Sequence, residues 1–181
     1  IAGHANVAPF MSKQLIQRLV TSNPSAAYVG RVSRVFAETG GKLGAVVKAI
    51  LLDPEARDAA ALTSDQFGKV REPILRFTAL ARATGVHSDS GFYQLTNTMD
   101  EGQSLGQSPL AAPTVFNFFR PGYMSPGSRS AQLGLLAPEL QIANETTAAG
   151  YVTFMAGLIH HGTSRAGFDG QGRRLDIPLD I

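Results

Sequence analysis

Apolar side chains recur every three or four residues through the first part of the chain, the spacing that places them on one face of a helix. Three successive segments share this pattern. Their apolar residues are Met11, Leu15, Ile16, Leu19 and Val20, then Val29, Val32, Val35 and Phe36, then Leu43, Val46, Val47, Ile50 and Leu51. Gly40-Gly41 separates the last two segments and is typical of a helix end. The pattern predicts three tandem amphipathic helices.

Residues that favour helix beginnings precede these segments. Asn6 is a predicted N-cap, and Asn23-Pro24 and Asp53-Pro54 each combine a capping side chain with a proline in the first turn. We therefore expect the second helix to begin at Pro24. A short turn of helix is expected to run from Pro54 to Arg57.

A further apolar stripe, from Phe67 to Ala81, predicts another helix that ends at Gly85. Thr63 and Gln66 have the spacing of a capping box that would open it. Pro73 lies within this stripe, and proline disrupts the interior of a helix. The helix is thus predicted either to kink near Lys69 or to begin at Glu72-Pro73.

The pattern changes over residues 86–137, which are rich in Gly, Pro, Ser, Gln and Asn. A short helix is predicted from Pro113 to Phe119 within this loop, whose three phenylalanines favour an ordered loop packed onto a core. Pro138 is predicted to start the longest helix, which ends at Gly162, and residues 163–181 are expected to form an irregular tail. No segment has the alternation of a strand.

These elements predict an all-α fold, an irregular bundle of about six helices with one long ordered loop. The chain has 181 residues, of which 44% are hydrophobic, enough for a single helical domain over 1–181. The sequence does not begin with Met and enters a helical pattern almost at once. We therefore expect it to be the C-terminal part of a longer protein, with the rest of that chain as a partner.

Composition removes several function classes. Without cysteine the chain has no disulfide, no catalytic thiol and no zinc–thiolate site. The four histidines lack metal-ligand spacing, so the sequence predicts neither a metal nor a cofactor. The basic residues of the first 50 positions are spaced singly, which favours solvated helix faces over nucleic-acid binding. Residues 146–164 are uncharged, but their threonines and histidines favour a buried core helix over a membrane span.

Polar residues embedded among apolar ones are the candidate site. The seven residues of this predicted polar cluster are Arg71, Glu72, Asn117, Arg120, Glu139, Gln141 and Glu145. Two interpretations stay open. These side chains either satisfy one another and hold the long loop in place, or they form a ligand site. The sequence leaves the catalytic residues unknown.

Seven stretches of the chain carry a family resemblance: residues 6–10, 13–24, 46–57, 68–73, 107–110, 113–123 and 138–142, of which 107–110 and 113–123 give the strongest match. They resemble the C-terminal portion of one bacterial family, the "domain of unknown function 1800", and the resemblance covers nearly the whole chain. It supports the mostly helical prediction. It implies an exported bacterial protein that acts outside the cytoplasm, in the periplasm or secreted, and it supplies no catalytic residues.

The function favoured at this point is non-catalytic: a helical binding or scaffold part that binds a co-exported partner protein or a surface glycan. No complete catalytic constellation is present, whereas the loop around Phe116 to Tyr123 offers aromatic and polar side chains. The alternative is a hydrolase-type enzyme whose site is shared with a missing N-terminal part. In that case Arg71, Glu72, Asn117, Arg120 and Glu139 would converge in one cleft.

Overall fold

A computed structural model describes residues 3–87, 97–161, 167–168 and 174–175. The fold is all-α, as predicted. The α-helices are α1 (Val7–Leu19), α2 (Ala26–Glu38), α3 (Leu43–Leu52), α4 (Pro54–Arg57), α5 (Pro73–Ala83), α6 (Arg129–Gln132) and α7 (Glu145–His161). Two 3-10 helices span Ala59–Thr63 and Pro138–Ile142. The described residues fall into two compact units, drawn from Ile1–Val70 with Arg120–Gln141 and from Arg71–Phe119 with Ile142–Ile181.

The core of the first unit is formed by α1, α2 and α3, which pack against one another. Leu19, Leu43 and Leu51, which belong to the predicted apolar faces, are exposed instead. The buried side chains of this core are Ile16, Tyr28, Val32, Val46 and Ile50. Tyr28 was not among the predicted core residues. Its hydroxyl donates a hydrogen bond of 2.7 Å to the Ile50 carbonyl, so the ring is buried without an unpaired polar group.

The beginning of α2 differs from the prediction. Ser25, not Asn23, is the N-cap, and its Oγ accepts a hydrogen bond from the Tyr28 backbone N–H. Asn23 instead pairs with the backbone of Leu136: its Nδ2 donates to the carbonyl at 3.0 Å and its Oδ1 accepts from the N–H at 2.9 Å. A long-range partner has replaced the local capping role that the sequence favoured.

Two predicted helix ends agree with the structure. Gly40 and Gly41 follow α2 with φ of 63° and 78°, a conformation that glycine adopts without steric cost. Asp53 caps α4 and accepts from the Glu55 N–H, with Pro54 in the first turn.

The start of α5 resolves the choice left open around Pro73. The helix begins at Pro73, as the second of the two predictions states. The predicted capping box is wrong: Thr63 ends a 3-10 helix, and the Gln66 N–H is bonded to the Ser64 hydroxyl. A proline that lacks a backbone donor fits this first turn, where no intrahelical donor is needed.

The predicted helix from Pro113 to Phe119 is also wrong. These residues form bends and turns, and Asn117 has a φ of 69°, which lies in the left-handed region. The Thr114 side chain accepts from the Phe116 N–H and donates to the Asn117 carbonyl. Such local side-chain bonds compete with helix formation. Of the three phenylalanines, Phe119 is buried, Phe118 is half-buried and Phe116 is exposed.

The longest helix does not start at Pro138, which begins a 3-10 helix, but at Glu145. Asn144 and Thr147 interrupt the run by reciprocal bonds: Asn144 Oδ1 accepts from the Thr147 N–H, and Thr147 Oγ1 accepts from the Asn144 N–H. This is the geometry of an N-terminal cap. The helix is buried on one side only, because Val152 and Ile159 are exposed while Leu158 is buried. Gly162, its predicted end, lies outside the described residues.

The core of the second unit consists of Phe77 on α5, Leu105 and Leu158 on α7. Phe77 and Phe154 meet edge to face with ring centroids 5.7 Å apart. Gly150 of α7 lies directly against the backbone of Glu101 and Gly102, so α7 approaches this turn as closely as a residue without a side chain permits.

In the predicted tail, Gly167–Phe168 (β1) and Arg174–Leu175 (β2) form a two-residue antiparallel pair. The remainder of 163–181 lies outside the described residues. None of the helices within the described ranges is both long enough and apolar enough to cross a lipid bilayer. The single domain expected from the chain length stays a prediction.

Candidate functional site

One candidate site is the exposed segment, residues 108–118, in the second unit. Leu110 and Val115 are almost fully exposed, and Phe116 is 61% exposed. Exposed apolar residues are ordinary when isolated. Here three of them lie within seven positions, on a stretch that contains no charged side chain. The segment thus presents an apolar surface.

The backbone of the exposed segment is held in an unusual shape. Leu110 has a φ of 61° and Asn117 a φ of 69°, both in the left-handed region. A leucine in this region is uncommon, and such backbone strain persists only where the surroundings enforce it. Backbone hydrogen bonds of turns at both ends maintain this shape. The Ala111 N–H donates to the Ser108 carbonyl at 3.3 Å, and the Asn117 N–H donates to the Thr114 carbonyl at 3.1 Å.

Gln107 anchors the start of the exposed segment. Its backbone N–H donates to the Thr98 carbonyl at 2.9 Å, and its side-chain oxygen accepts from the Ile74 N–H at 3.1 Å. Its side-chain nitrogen donates to the Glu72 carboxylate at 2.5 Å. Glu72, a residue of the predicted polar cluster, therefore fixes the loop to the beginning of α5. Phe119 is buried at the other end of the segment.

A second candidate site is a buried ion pair in the first unit. Lys69 Nζ lies 2.9 Å from Glu139 Oε1, and the two side chains are only 11% and 2% exposed. Lys69 also donates to the Arg18 carbonyl at 3.0 Å. Glu139 Oε2 is buried without a hydrogen-bond partner. A buried carboxylate with one unsatisfied oxygen is rare enough in proteins to require an explanation.

Lys69 also lines an open pocket of about 200 Å³. The walls of this Lys69 pocket include Ser22, Phe67, Val70, Leu135 and Leu136. The Thr21 hydroxyl fixes one wall, because it accepts from the Gly68 N–H at 3.0 Å and donates to the Gly68 carbonyl at 3.1 Å. Glu139 belongs to the predicted polar cluster, whereas Lys69 was not predicted, because nothing around it in the sequence indicates a partner 70 positions away.

The remaining predicted residues have separate local surroundings. The Arg120 N–H donates to Gln141 Oε1 at 2.8 Å in the first unit. Glu145 lies in the first turn of α7, where a carboxylate is favoured by the helix dipole, and Arg71 is exposed. Arg71, Glu72, Asn117 and Glu145 belong to the second unit, and Arg120, Glu139 and Gln141 belong to the first. Their convergence in one cleft stays a prediction.

Within the described residues, no group of three or more His, Cys, Asp or Glu side chains is placed to hold a metal ion. Of the charged side chains described above, Lys69 and Glu139 pair with each other, Lys69 also bonds to a backbone carbonyl, and Glu72 bonds to the Gln107 side chain.

Comparison with known proteins gives one match. Residues 1–171 match the model of a sequence family described as "Protein of unknown function (DUF1800)". No curated protein and no solved structure matches the chain.

Proposed function

We propose that this chain, which belongs to the DUF1800 family of proteins of unknown function, is a non-catalytic binding protein that docks a partner protein through the exposed segment, residues 108–118. The observation that carries the proposal is the combination of exposed apolar side chains with a fixed, strained backbone. Apolar surface is the main source of affinity in protein association. A segment already held in one conformation loses less entropy when it binds.

The chemistry of the exposed segment favours a protein over a glycan as the occupant. Leu110 and Val115 are aliphatic, and the segment carries no charged side chain to bind the hydroxyl groups of a sugar. Interface cores are likewise depleted of charge and enriched in aromatic residues such as Phe116. The expected partner surface is therefore an apolar groove or pocket.

The test begins with a photo-reactive amino acid at position 115 of the full-length protein in its own cells. The control carries the same group at Leu62, which is 90% exposed and lies in the first unit. We expect position 115 to cross-link to one defined partner protein and position 62 to give no such product. Equal cross-linking at both positions would contradict the proposal.

The identified partner is then purified for binding measurements with the variant Leu110→Asn/Val115→Ser. Asparagine tolerates the left-handed backbone at position 110, so the fold is retained. Removal of two central apolar contacts is expected to weaken binding by about tenfold or more. Leu62→Ser is the matched control and should leave the affinity unchanged. An unchanged affinity in the double variant would refute the docking role.

We also propose that the protein is exported and acts outside the cytoplasm beside a co-exported partner. Its support is the sequence resemblance alone. Cell fractionation of the full-length product is expected to place it in the periplasm or medium. Recovery from the cytoplasm alone would overturn the proposal for export without affecting the docking segment.

A further inference from the structure

Arg76 of α5 is a half-buried arginine stacked on an aromatic ring of α7 in the second unit. Its guanidinium carbon lies 4.2 Å from the centre of the Tyr151 ring. The face of an aromatic ring attracts a cation, but it offers no oxygen atom to accept from the five N–H groups of arginine. The ring therefore holds the guanidinium in place and leaves its hydrogen-bonding capacity unused.

Arg76 has no anionic partner within the part of the chain that the structure describes. There it forms no ion pair and donates no hydrogen bond. Glu72, one helical turn earlier in the sequence, accepts from the Gln107 side chain instead. The Arg76 Nε atom is buried, whereas Nη1 and Nη2 are not among the buried atoms without a partner and so remain accessible. An anion can thus reach the two Nη atoms.

A second arginine of the chain shows what such a stack accommodates. Arg31 lies over the Tyr28 ring at 5.9 Å, and its guanidinium donates to both carboxylate oxygens of Asp53 at 2.7 Å. The planar fork of an arginine matches the oxygens of a carboxylate or a phosphate, and such charge-assisted hydrogen bonds are stronger than those between neutral groups. Arg76 has the same aromatic support but no oxyanion among the described residues.

We propose that Arg76 binds the oxyanion group of a small molecule, a carboxylate or a phosphate. Its Nη1 and Nη2 atoms donate to two oxygens of that group. Because the Tyr151 ring already restricts the guanidinium, less side-chain entropy is lost on binding. Arg76 lies on α5, outside residues 108–118, so this site goes beyond the docking of a partner protein. Failure of either proposal leaves the other unaffected.

The experiment is saturation-transfer NMR of the full-length protein with acetate, methylphosphonate and acetamide at constant ionic strength. Each probe carries one methyl group for detection, and acetamide has the shape of acetate without its charge. We expect acetate or methylphosphonate to bind at least about tenfold more tightly than acetamide. Tighter binding of acetate would indicate a carboxylate as the natural group, and tighter binding of methylphosphonate a phosphate.

Two substitutions assign this binding to Arg76. Arg76→Lys keeps the positive charge but loses the planar fork, and Arg76→Gln removes the charge. Arg82→Lys and Arg82→Gln are the matched controls at an exposed arginine of the same helix. Affinity for the preferred anion should fall about tenfold or more in both Arg76 variants and stay unchanged in the Arg82 variants. Thermal unfolding verifies that each variant folds.

The Nε–H group of Arg76 gives a second measurement on the wild-type protein. Its NMR signal should shift saturably as the preferred anion is added, and chloride at the same ionic strength should leave it in place. The proposal is overturned if neither anion binds or if acetamide binds as tightly as the anions. It is overturned as well if the Arg82 variants weaken binding as much as the Arg76 variants, or if the Nε–H signal responds equally to chloride.

Discussion

Asp53 has several structural roles at once. Its Oδ1 and Oδ2 each accept from the Arg31 guanidinium at 2.7 Å, and Oδ1 also accepts from the Glu55 N–H that begins α4. The hydrogen bonds from Arg31 hold the pKa of Asp53 below its ordinary value of 3.8, against the opposing effect of burial. Burial and the nearby Asp53 and Glu55 carboxylates raise the pKa of the Tyr28 hydroxyl. One carboxylate thus connects α2 to the junction of α3 and α4.

The depressed pKa of Asp53 makes its stabilising effect depend on pH. A group with a lowered folded-state pKa contributes stability above its unfolded-state pKa and loses that contribution as the pH falls through the folded value. We expect the wild type to be more stable than Asp53→Asn at pH 7, and this difference to shrink below about pH 4. Urea unfolding between pH 7 and pH 2 measures both free energies.

Asp58→Asn is the matched control for this titration. Asp58 is also an N-cap, with its carboxylate bonded to the Ala60 N–H, but it is exposed and pairs with no arginine in the part of the chain that the structure describes. Asparagine caps nearly as well as aspartate. The free energy of unfolding of Asp58→Asn should therefore differ little from that of the wild type at every pH. If the difference in free energy of unfolding between wild type and Asp53→Asn stayed constant with pH, this would contradict a lowered pKa for Asp53.

At the scale of elements, the sequence predicted which segments are helical better than where they begin. The interiors of α1, α2, α3 and α5 follow from apolar periodicity, which burial enforces. Beginnings depend on which polar side chain finds which partner. Asn23 has the features of a cap but bonds to Leu136, far away in the chain. Helix α7 begins at Glu145 and not at Pro138, because Asn144 and Thr147 form its cap. The Asn23 bond is tertiary and leaves no local signal, whereas the cap formed by Asn144 and Thr147 is local and was overlooked in favour of Pro138.

Helix α7 contains two glycines, Gly150 and Gly157. We expect their substitution by alanine to change the free energy of unfolding in opposite directions. A Cβ at Gly150 would overlap the Glu101 carbonyl oxygen. The helix or the turn at Glu101 must then shift, and we expect Gly150→Ala to lower the free energy of unfolding by about 1–3 kcal/mol. Chemical denaturation monitored by circular dichroism measures the change.

Gly157→Ala is the control in the same helix. Among the described residues, and apart from the backbone of its own helix, no atom lies within 4 Å of the position that a Cβ would take. The substitution should therefore only improve helix propensity. We expect a gain of about 0.5–1 kcal/mol in the free energy of unfolding. Equal effects of the two substitutions would show that the close approach of Gly150 is not maintained in solution.

At the scale of the whole molecule, the first unit is assembled from two distant stretches of chain. Residues 120–141 return to the unit after the chain has passed through the second unit. Asn23 bonds to Leu136 across 113 positions, and Lys69 pairs with Glu139. Closing a loop of this length costs entropy before any contact forms, so these bonds should form late in folding.

Asn23→Ala tests this order. The substitution leaves the Leu136 N–H and carbonyl without partners and is expected to cost about 1–3 kcal/mol of stability. Because the contact forms after the rate-limiting step, the loss should raise the unfolding rate and leave the folding rate within about twofold of wild type. Stopped-flow measurements over a range of urea concentrations yield both rates.

Two controls accompany this measurement. Asn6 is the N-cap of α1 but its side chain makes no capping bond, so Asn6→Ala should change stability by less than about 0.5 kcal/mol. Val46→Ala removes apolar contacts in the locally connected core of α1 to α3 and should slow folding. If Asn23→Ala lowered the folding rate as much as Val46→Ala, residues 120–141 would join the first unit before the rate-limiting step of folding. The predicted order would then be wrong.

The candidate sites were only partly accessible to sequence reasoning. The loop around Phe116 was recognised from its aromatic residues, and Glu72 and Glu139 from their apolar surroundings. The partners of these carboxylates, Gln107 and Lys69, were missed since each lies more than 30 positions away. The left-handed backbone at Leu110 was missed as well, because leucine has no preference for that conformation.

The return of residues 120–141 also matters during biosynthesis. A ribosome adds roughly 5–20 residues per second, so α1 to α3 emerge several seconds before Leu136 and Glu139 are made. Throughout that interval the nascent first unit holds Lys69 without its carboxylate and Asn23 without its backbone partner. A chaperone that protects this unfinished unit, or slow codons placed after the stretch that encodes Glu139, would therefore raise the yield of folded protein.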